Sequence, residues 1–537
     1  MIPENIAPPT PPIVESKKNS FFGNAMWFSL GGFFMQGVAF AANILFAKFL
    51  GTEGNGQVVN YIFWQTLFTA IISWQINATI NNAAVTFGQH RLDEYIFTLV
   101  RFCLLPFLLL IGLSLALPGI VSSFCDMPAQ LVTLSVINAG LVALVNIASF
   151  ACITLGQRVK YLAYTIGSSL LNVGLSLGLI NYFRSNPILP LATGRMLGYT
   201  LGWLPAAIVA LYLMIKKRRL PPSLRDTSLE EGGNLSLFEG MVMSPPPRGG
   251  CRRSRQGEHS NFLKYALPLA LPLVASEVAQ VILMRSNGYF TKILMSDSAS
   301  GLYGMANSLG GVGIMAAAAL GGAWTPWYFQ QSATKKHGTV NRMMKKYIMF
   351  FAAFICGAMA VLPDLIHWFF PDFSGSEICL PPILMCGFAL LLYNMVANYH
   401  LLREKSYFIT IISVSSGLLS IALSLILIPA MGILGAASAQ LICYLIQLTA
   451  AVIIGRYVIK GLNIKSGILI AGLLMAGLFA VFTYTFMSIW IIRWLAGVLC
   501  GVYCLINAKR MMKPDDGMVA AEIGFAVNGA AAGMYLF

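Results

Sequence analysis

The chain has 537 residues, 57% of them hydrophobic and only 10% charged, with a mean hydropathy of +0.73. A soluble domain carries about 25% charged residues, so too little polar surface is present to cover a water-soluble globule, and the composition is that of a polytopic membrane protein. The net charge of +15 does not point to nucleic acid, because the basic residues cluster in short segments between apolar runs, as loops facing the cytoplasm do.

The first twenty residues, "MIPENIAPPTPPIVESKKNS", are Pro-rich and polar, and lack the basic start and adjoining short apolar core of a secretion signal. They read as a disordered cytoplasmic tail, residues 1–20. Apolar runs follow near 21–46, 57–80, 96–117, 131–154, 161–182 and 188–215, giving an N-terminal six-helix lobe over 21–215. Residues 216–261, from "KKRRLPPSLRD" to "SPPPRGGCRRSRQGEHS", are rich in Pro, Gly, Ser and charge and read as a cytoplasmic linker whose Arg cluster either touches anionic lipid or, the plainer reading, sets topology. Further runs lie near 262–285, 301–328, 347–370, 380–402, 408–429 and 432–455, a C-terminal lobe over 262–455. Two additional helices near 466–488 and 490–508 occupy 456–513, and a small-residue-rich tail covers 514–537.

Each run approaches the roughly 20 apolar residues that cross a bilayer as a helix, and none shows the alternation of a barrel strand. The expected fold is all-α and polytopic, with about 14 transmembrane helices. Of the 35 Lys and Arg residues, 27 fall in segments on the side of the N-terminus and four on the other. That bias places both termini in the cytoplasm.

The two lobes echo each other. "FAKFLGTEGNG" (46–56) returns as "FTKILMSDSASG" (290–301), with Lys48 matched by Lys292, Glu53 by Asp297 and Gly56 by Gly301. "LALPGIVSSFC" near Pro118 returns as "AVLPDLIHWFFP" near Pro363, and Tyr161 in "LGQRVKYLAYTIGSSLL" returns as Tyr407. Six spans is an even number, so both copies enter the membrane from the same side, a parallel repeat of the kind transporters use around a central cleft. Lys48 and Lys292 then occupy equivalent rim positions and read as interfacial anchors.

Other classes find little support. There is no GxxxxGK[ST] phosphate loop, no HExxH and no GxSxG, and the five His residues (90, 259, 337, 367, 400) are scattered. An enzyme is not expected, nor a metal site or cofactor; the ten Cys form no CxxC pair, and Cys125 and Cys379 read as two separate thiols. A secondary transporter remains, driven by a proton or sodium gradient.

Several motifs then resemble one family. "LIPAMGILGAASAQLICYLIQ" (427–447) resembles the LIP-x-x-G-x-x-GAA pattern of polysaccharide and O-antigen (lipid-linked oligosaccharide) flippases of the multidrug/oligosaccharidyl-lipid/polysaccharide exporter superfamily. "FAKFLGTEGNG" is similar to that family's LGxxxxG turn, "ASGLYGMANSLGG" to its G-x-Y-x-x-A stretch and "GAWTPWYFQ" (322–330) to its W-x-P-W helix end. The resemblance spans roughly residues 21–455. The chain departs from the pattern in its long Arg-rich linker, in "RSNGY" (285–289), and in its C-terminal tail. The resemblance implies translocation of an undecaprenyl-diphosphate-linked oligosaccharide across the bacterial inner membrane for surface polysaccharide synthesis. A polysaccharide polymerase and a chain-length regulator are the implied protein partners; the lipid bilayer is the other, and nucleic acid is not among them. A cation-coupled multidrug exporter of the same superfamily and a non-transporting membrane scaffold are the competing readings.

A diphosphate passing through low dielectric needs cations inside the bundle. The cationic candidates are Arg195, Arg285, Arg101 and Lys264; for each, a side chain snorkelling to the membrane surface is the plainer reading. Arg195, in "LATGRMLGY", has small or polar neighbours and is expected to bind substrate as a permanent cation. Glu277 lies near mid-depth beside Pro268 and Pro272 and must pair, hold a cation or carry a proton; it is the expected coupling residue, with a structural pair as its plainer reading. Gln36, Asn43, Gln65, Gln75 and Asn77 could line a wet cleft, although interhelical hydrogen bonds are the commoner use of such residues.

Overall fold

The computed structural model describes residues 18–87, 89–219, 255–333, 337–403, 405–462 and 464–511. The expectations for residues 1–17, for the body of the linker (220–254) and for 512–537 lie outside them. Among the described residues the regular elements are all helical. The first lobe comprises α1 (Lys18–Ser73), α2 (Ile80–Phe87), α3 (Gln89–Ala116), α4 (Pro118–Cys125), α5 (Ala129–Thr154), α6 (Arg158–Leu162), α7 (Ser168–Ser185) and α8 (Leu191–Arg219). The second comprises α9 (Arg255–Leu294), α10 (Asp297–Ala333), α11 (His337–Phe369), α12 (Leu380–Leu402), α13 (Tyr407–Met431) and α14 (Ile433–Ile453), followed by α15 (Ser466–Thr485) and α16 (Trp490–Met511).

Among the described residues, 10 helices are long and apolar enough to cross a membrane by length and composition, and a bent pair within α9 makes 11. The two helices of α1 and the small-residue helix α10 are further long helices outside that set. The α1 helices meet at Gly51, whose φ of 67° and ψ of −173° would strain any residue bearing a Cβ. The same device ends α13: Gly432, at φ 61° and ψ −142°, turns the chain into α14 within the LIPAMG motif.

The repeat is visible in the packing. In the first lobe α5 packs on α1, α3 and α8, while α7 runs along α8; in the second, α12 packs on α10, α11 and α14, while α13 runs along α14. These are two parallel six-helix units of one design. They meet where the echoed sequence predicted nothing more than two similar turns. A Cβ on Gly56 would collide with the carbonyl oxygen of Asp297, and one on Gly301 with that of Thr52. The crossing is thus reciprocal, small residue against backbone, as membrane helices use for closest approach. It also corrects the register: Thr52, not Glu53, is the counterpart of Asp297. Asn55 Nδ2 donates to the Gly301 carbonyl across this contact (2.9 Å).

Helices α15 and α16 pack on α11 and α12, outside the two lobes. Arg493, by the loop count no more than a basic residue outside the membrane, is buried and fixes them in place. It donates to Asp364 Oδ1 (2.6 Å) and to the carbonyls of Phe486, Ala360 and Met487, and Trp494 Nε1 donates to the other Asp364 oxygen (2.8 Å).

Helix α9 belongs to both lobes. Its first part bends by 45° from the rest, between Phe262–Pro268 and Ala270–Leu294. Pro268 and Pro272 account for the bend, because each removes a backbone donor and crowds the preceding turn. Phe262, Ala266 and Ala270 are buried in the core of the first lobe; Leu283 and Met284 are buried in that of the second. Thr86 Oγ1 and the Tyr265 hydroxyl hydrogen-bond (3.1 Å), and Phe87 meets Phe262 edge-on (5.1 Å), tying the start of α9 to α2.

Candidate substrate and coupling site between the lobes

The bent helix carries three charged residues that meet the first lobe: Glu277, Arg285 and Lys292. Glu277, on the second-lobe part of α9, is partly buried and pairs with the side chain of Gln75 from the first lobe. The backbone goes out of its way to place Gln75 there. Helix α1 ends at Ser73, and Trp74 and Gln75 take φ of 47° and 49° before a short 3-10 turn, Ile76–Thr79. Two successive non-glycine residues in the left-handed region cost of order 1–3 kcal/mol each, and such strain collects at functional positions. Hydropathy alone carries span 2 through this point to residue 80; periodicity gives no sign of the break, since Trp74 and Gln75 are ordinary helix residues.

Arg285 lies about 12 Å further along α9 by helical rise, too far to pair directly with Glu277. Its guanidinium interacts electrostatically with Tyr199 from α8 and with Tyr303 and Tyr444 from α10 and α14. Its neighbours therefore come from both lobes. Ser286 Oγ and Asn287 Nδ2, from the next two residues of α9, and Gln440 Nε2 and the Tyr444 hydroxyl on α14 are buried without a hydrogen-bond partner. Asn287 and Gln440 also accept hydrogen bonds within the second lobe, from Ser424 (2.7 Å) and the Tyr303 hydroxyl (3.0 Å).

Arg195 is placed differently. It is only 4% exposed and sits inside the first lobe, donating from Nη1 to Asn172 Oδ1 (2.8 Å) and Ser176 Oγ (2.8 Å) on α7. Its guanidinium also lies over the rings of Phe46 (4.1 Å) and Tyr199 (5.2 Å). Tyr199 thus interacts with both arginines. Close helix contacts make this arrangement possible: a Cβ on Gly198 or Gly202 would strike the backbone of Ser176 or Asn172. Among the described residues neither Arg195 nor Arg285 is in a salt bridge.

The remaining candidates are not brought to this site. Arg101 and Lys264 are exposed; Arg101 lies over the ring of Phe97 on its own helix (5.7 Å). Gln65 is buried and bonds to Thr69 one turn away on its own helix (3.0 Å). Among the described residues no group of three or more His, Cys, Asp or Glu side chains is arranged to hold a metal, and Cys125 and Cys379 are both buried free thiols.

The repeat pairs Lys292 with Lys48 as a rim anchor, but the structure separates them. Lys48 is exposed, whereas Lys292 bridges the lobes through Asp126 Oδ2 (3.1 Å) and also pairs with Asp297 Oδ1 of its own lobe (3.4 Å). One helical turn below, the Tyr289 hydroxyl donates to the Phe124 carbonyl (2.7 Å), and its ring stacks on Phe63 (5.2 Å) and meets Trp64 edge-on (5.4 Å).

The fold is that of an all-α, multi-pass membrane protein built in two lobes. Three solved structures show the likeness. The chain is similar to the lipid II flippase MurJ in an inward closed conformation, with 14% identity and a TM-score of 0.57 over 90% of this chain and 98% of that one. It is also similar to an inward-facing multidrug resistance MATE family transporter (13%, 0.54, 83% and 95%). The third is a mutant form of the Vibrio cholerae MATE transporter VcmN (14%, 0.51, 83% and 98%). No family model matches the chain, and no curated protein matches it by sequence.

Proposed function

We propose that the chain is a secondary transporter that carries a polyprenyl-diphosphate-linked oligosaccharide across the bacterial inner membrane for surface polysaccharide synthesis. The lobes are residues 21–215 and 262–455, and the basic bias puts both termini in the cytoplasm. One observation carries the reading: Arg285, on the helix shared by the lobes, interacts with tyrosines of both and, among the described residues, has no carboxylate in a salt bridge with it. A charge at the centre of a spanning helix costs on the order of 3 kcal/mol by insertion scales, so it persists where it is used. A diphosphate suits it, because the planar guanidinium binds phosphate oxygens in pairs. In this reading Arg285 binds the diphosphate first and Arg195 supports it by fixing Tyr199 from the opposite side.

Glu277 is the coupling residue. It can hold a proton or a sodium ion, and its bond to Gln75 joins the lobes, so exchange of that ion would make or break an interlobe contact as the cleft alternates. A polysaccharide polymerase and a chain-length regulator would act on the delivered unit.

A second reading is favoured by a separate observation. The aromatic group of Phe63, Trp64, Phe68, Phe124 and Tyr289 would suit a planar cationic drug, as in a cation-coupled exporter. Deleting the gene separates the two. Loss of surface polysaccharide, with sugar-loaded carrier left on the cytoplasmic leaflet, supports the first reading; intact polysaccharide with a cationic dye accumulating in the cell supports the second.

A further inference from the structure

Arg285, Tyr289 and Lys292 stand at i, i+4 and i+7 on α9, one face of the helix, rising about 10 Å from the middle of the interlobe contact to its end. All three engage the first lobe: Arg285 near Tyr199, Tyr289 at the Phe124 carbonyl, Lys292 at Asp126. The face is thus a continuous row of donors, cationic at both ends.

The partner of Lys292 is built rather than incidental. Lys292 Nζ donates to the Asp126 carbonyl (2.6 Å) as well as meeting its carboxylate. Asn60 Nδ2 donates to the Cys125 and Asp126 carbonyls (3.1 Å each), and Ser122 Oγ to the Met127 carbonyl (2.6 Å). These bonds hold Asp126 at φ 50°, in the left-handed region, at the carbonyl end of α4. Burial is uneven within the pair. The Lys292 side chain is 11% exposed and that of Asp126 51%. The carboxylate therefore reaches an enclosed ammonium from the solvent side, while the row of donors leads to the same ammonium from within.

We propose that Lys292 is a second anion site for the cargo, at the exit end of the row, and that in this structure Asp126 occupies it in place of a phosphate, beside the second-lobe Asp297 that stays with Lys292 when the lobes part. An anionic group travelling along α9 from Arg285 competes with Asp126 for Lys292. Winning that competition removes the ion pair holding the lobes together at this end, so arrival of the cargo anion and parting of the lobes are one event. The inference rests on the diphosphate reading above and adds to it a residue and an order of binding.

The test is binding of radiolabelled farnesyl diphosphate to the full chain in nanodiscs, for wild type, Arg285→Ala, Asp126→Asn, Lys292→Gln and the Asp126→Asn/Lys292→Gln double variant. Removing the competing carboxylate should tighten binding about tenfold, and removing the ammonium should weaken it about as much. The Asp126→Asn gain should vanish in the double variant, and Lys292→Arg should retain most of the affinity. Unchanged affinity in Asp126→Asn, or a gain that survives without Lys292, overturns the inference and leaves the diphosphate reading in place, provided wild type binds and Arg285→Ala does not. No binding by wild type overturns both.

Discussion

A guanidinium inside a membrane protein needs acceptors, and the two central arginines meet that need in opposite ways. Arg195 is satisfied within one lobe by Asn172, Ser176 and two aromatic faces. Truncating it strands those buried partners, at about 1–3 kcal/mol for an unsatisfied polar group. Arg195→Ala should lower the thermal midpoint of the purified protein and reduce export with it. Arg285 has neighbours from both lobes, so Arg285→Ala should abolish export while leaving the midpoint close to that of wild type. A clear fall in midpoint for Arg285→Ala, with export retained, would reverse these roles. Glu277→Gln keeps the shape and the contact to Gln75 but can neither exchange a proton nor hold a cation by charge. Transport by that variant in proteoliposomes should no longer respond to an imposed proton or sodium gradient; an undiminished response would remove Glu277 from coupling. The sequence made all three residues candidates because charge in an apolar run is rare. Their ranking depended on which helix faces meet, and Arg195 and Arg285 are alike on that score until the helices are packed.

At the scale of elements, three devices set the geometry. The Gly56–Gly301 crossing leaves no room for a side chain on either helix. Gly56→Val or Gly301→Val should force the lobes apart and destabilise the protein by about 1–3 kcal/mol, the usual range for overpacking, with thermal unfolding in detergent as the readout. The second device is the Arg493–Asp364–Trp494 cluster joining α16 to α11. Asp364→Ala leaves Arg493 buried without its counter-charge, which costs about 3–5 kcal/mol, and should expose the α15–α16 pair to proteolysis before the lobes. Equal protease resistance in the variant and wild type would show that the pair is held by apolar packing alone. The third is the break at Trp74–Gln75 opposite the bend in α9. The prolines made the bend legible in advance; the break was not, because strain at non-glycine residues is imposed by tertiary contacts and leaves no mark in the local sequence.

For the whole molecule, the repeat was the most legible feature, since an offset of about 245 residues persists through both lobes and the packing reproduces it helix by helix. Hydropathy and the spacing of glycines suffice for that, because lipid selects helices and glycine marks their turns and crossings. The traffic between lobes was less legible. Lys48 and Lys292 match in sequence yet differ in role, because among the described residues Lys292, and not Lys48, pairs with an acid from the other lobe. The central claim is that a diphosphate-linked sugar crosses between the lobes past Arg285. The most direct measurement is the leaflet distribution of sugar-loaded polyprenyl diphosphate in cells lacking the gene and complemented with equal amounts of wild type or Arg285→Ala. The account predicts accumulation on the cytoplasmic leaflet in the deletion, relief by wild type and no relief by Arg285→Ala. An unchanged distribution in the deletion, or full relief by Arg285→Ala, would contradict it.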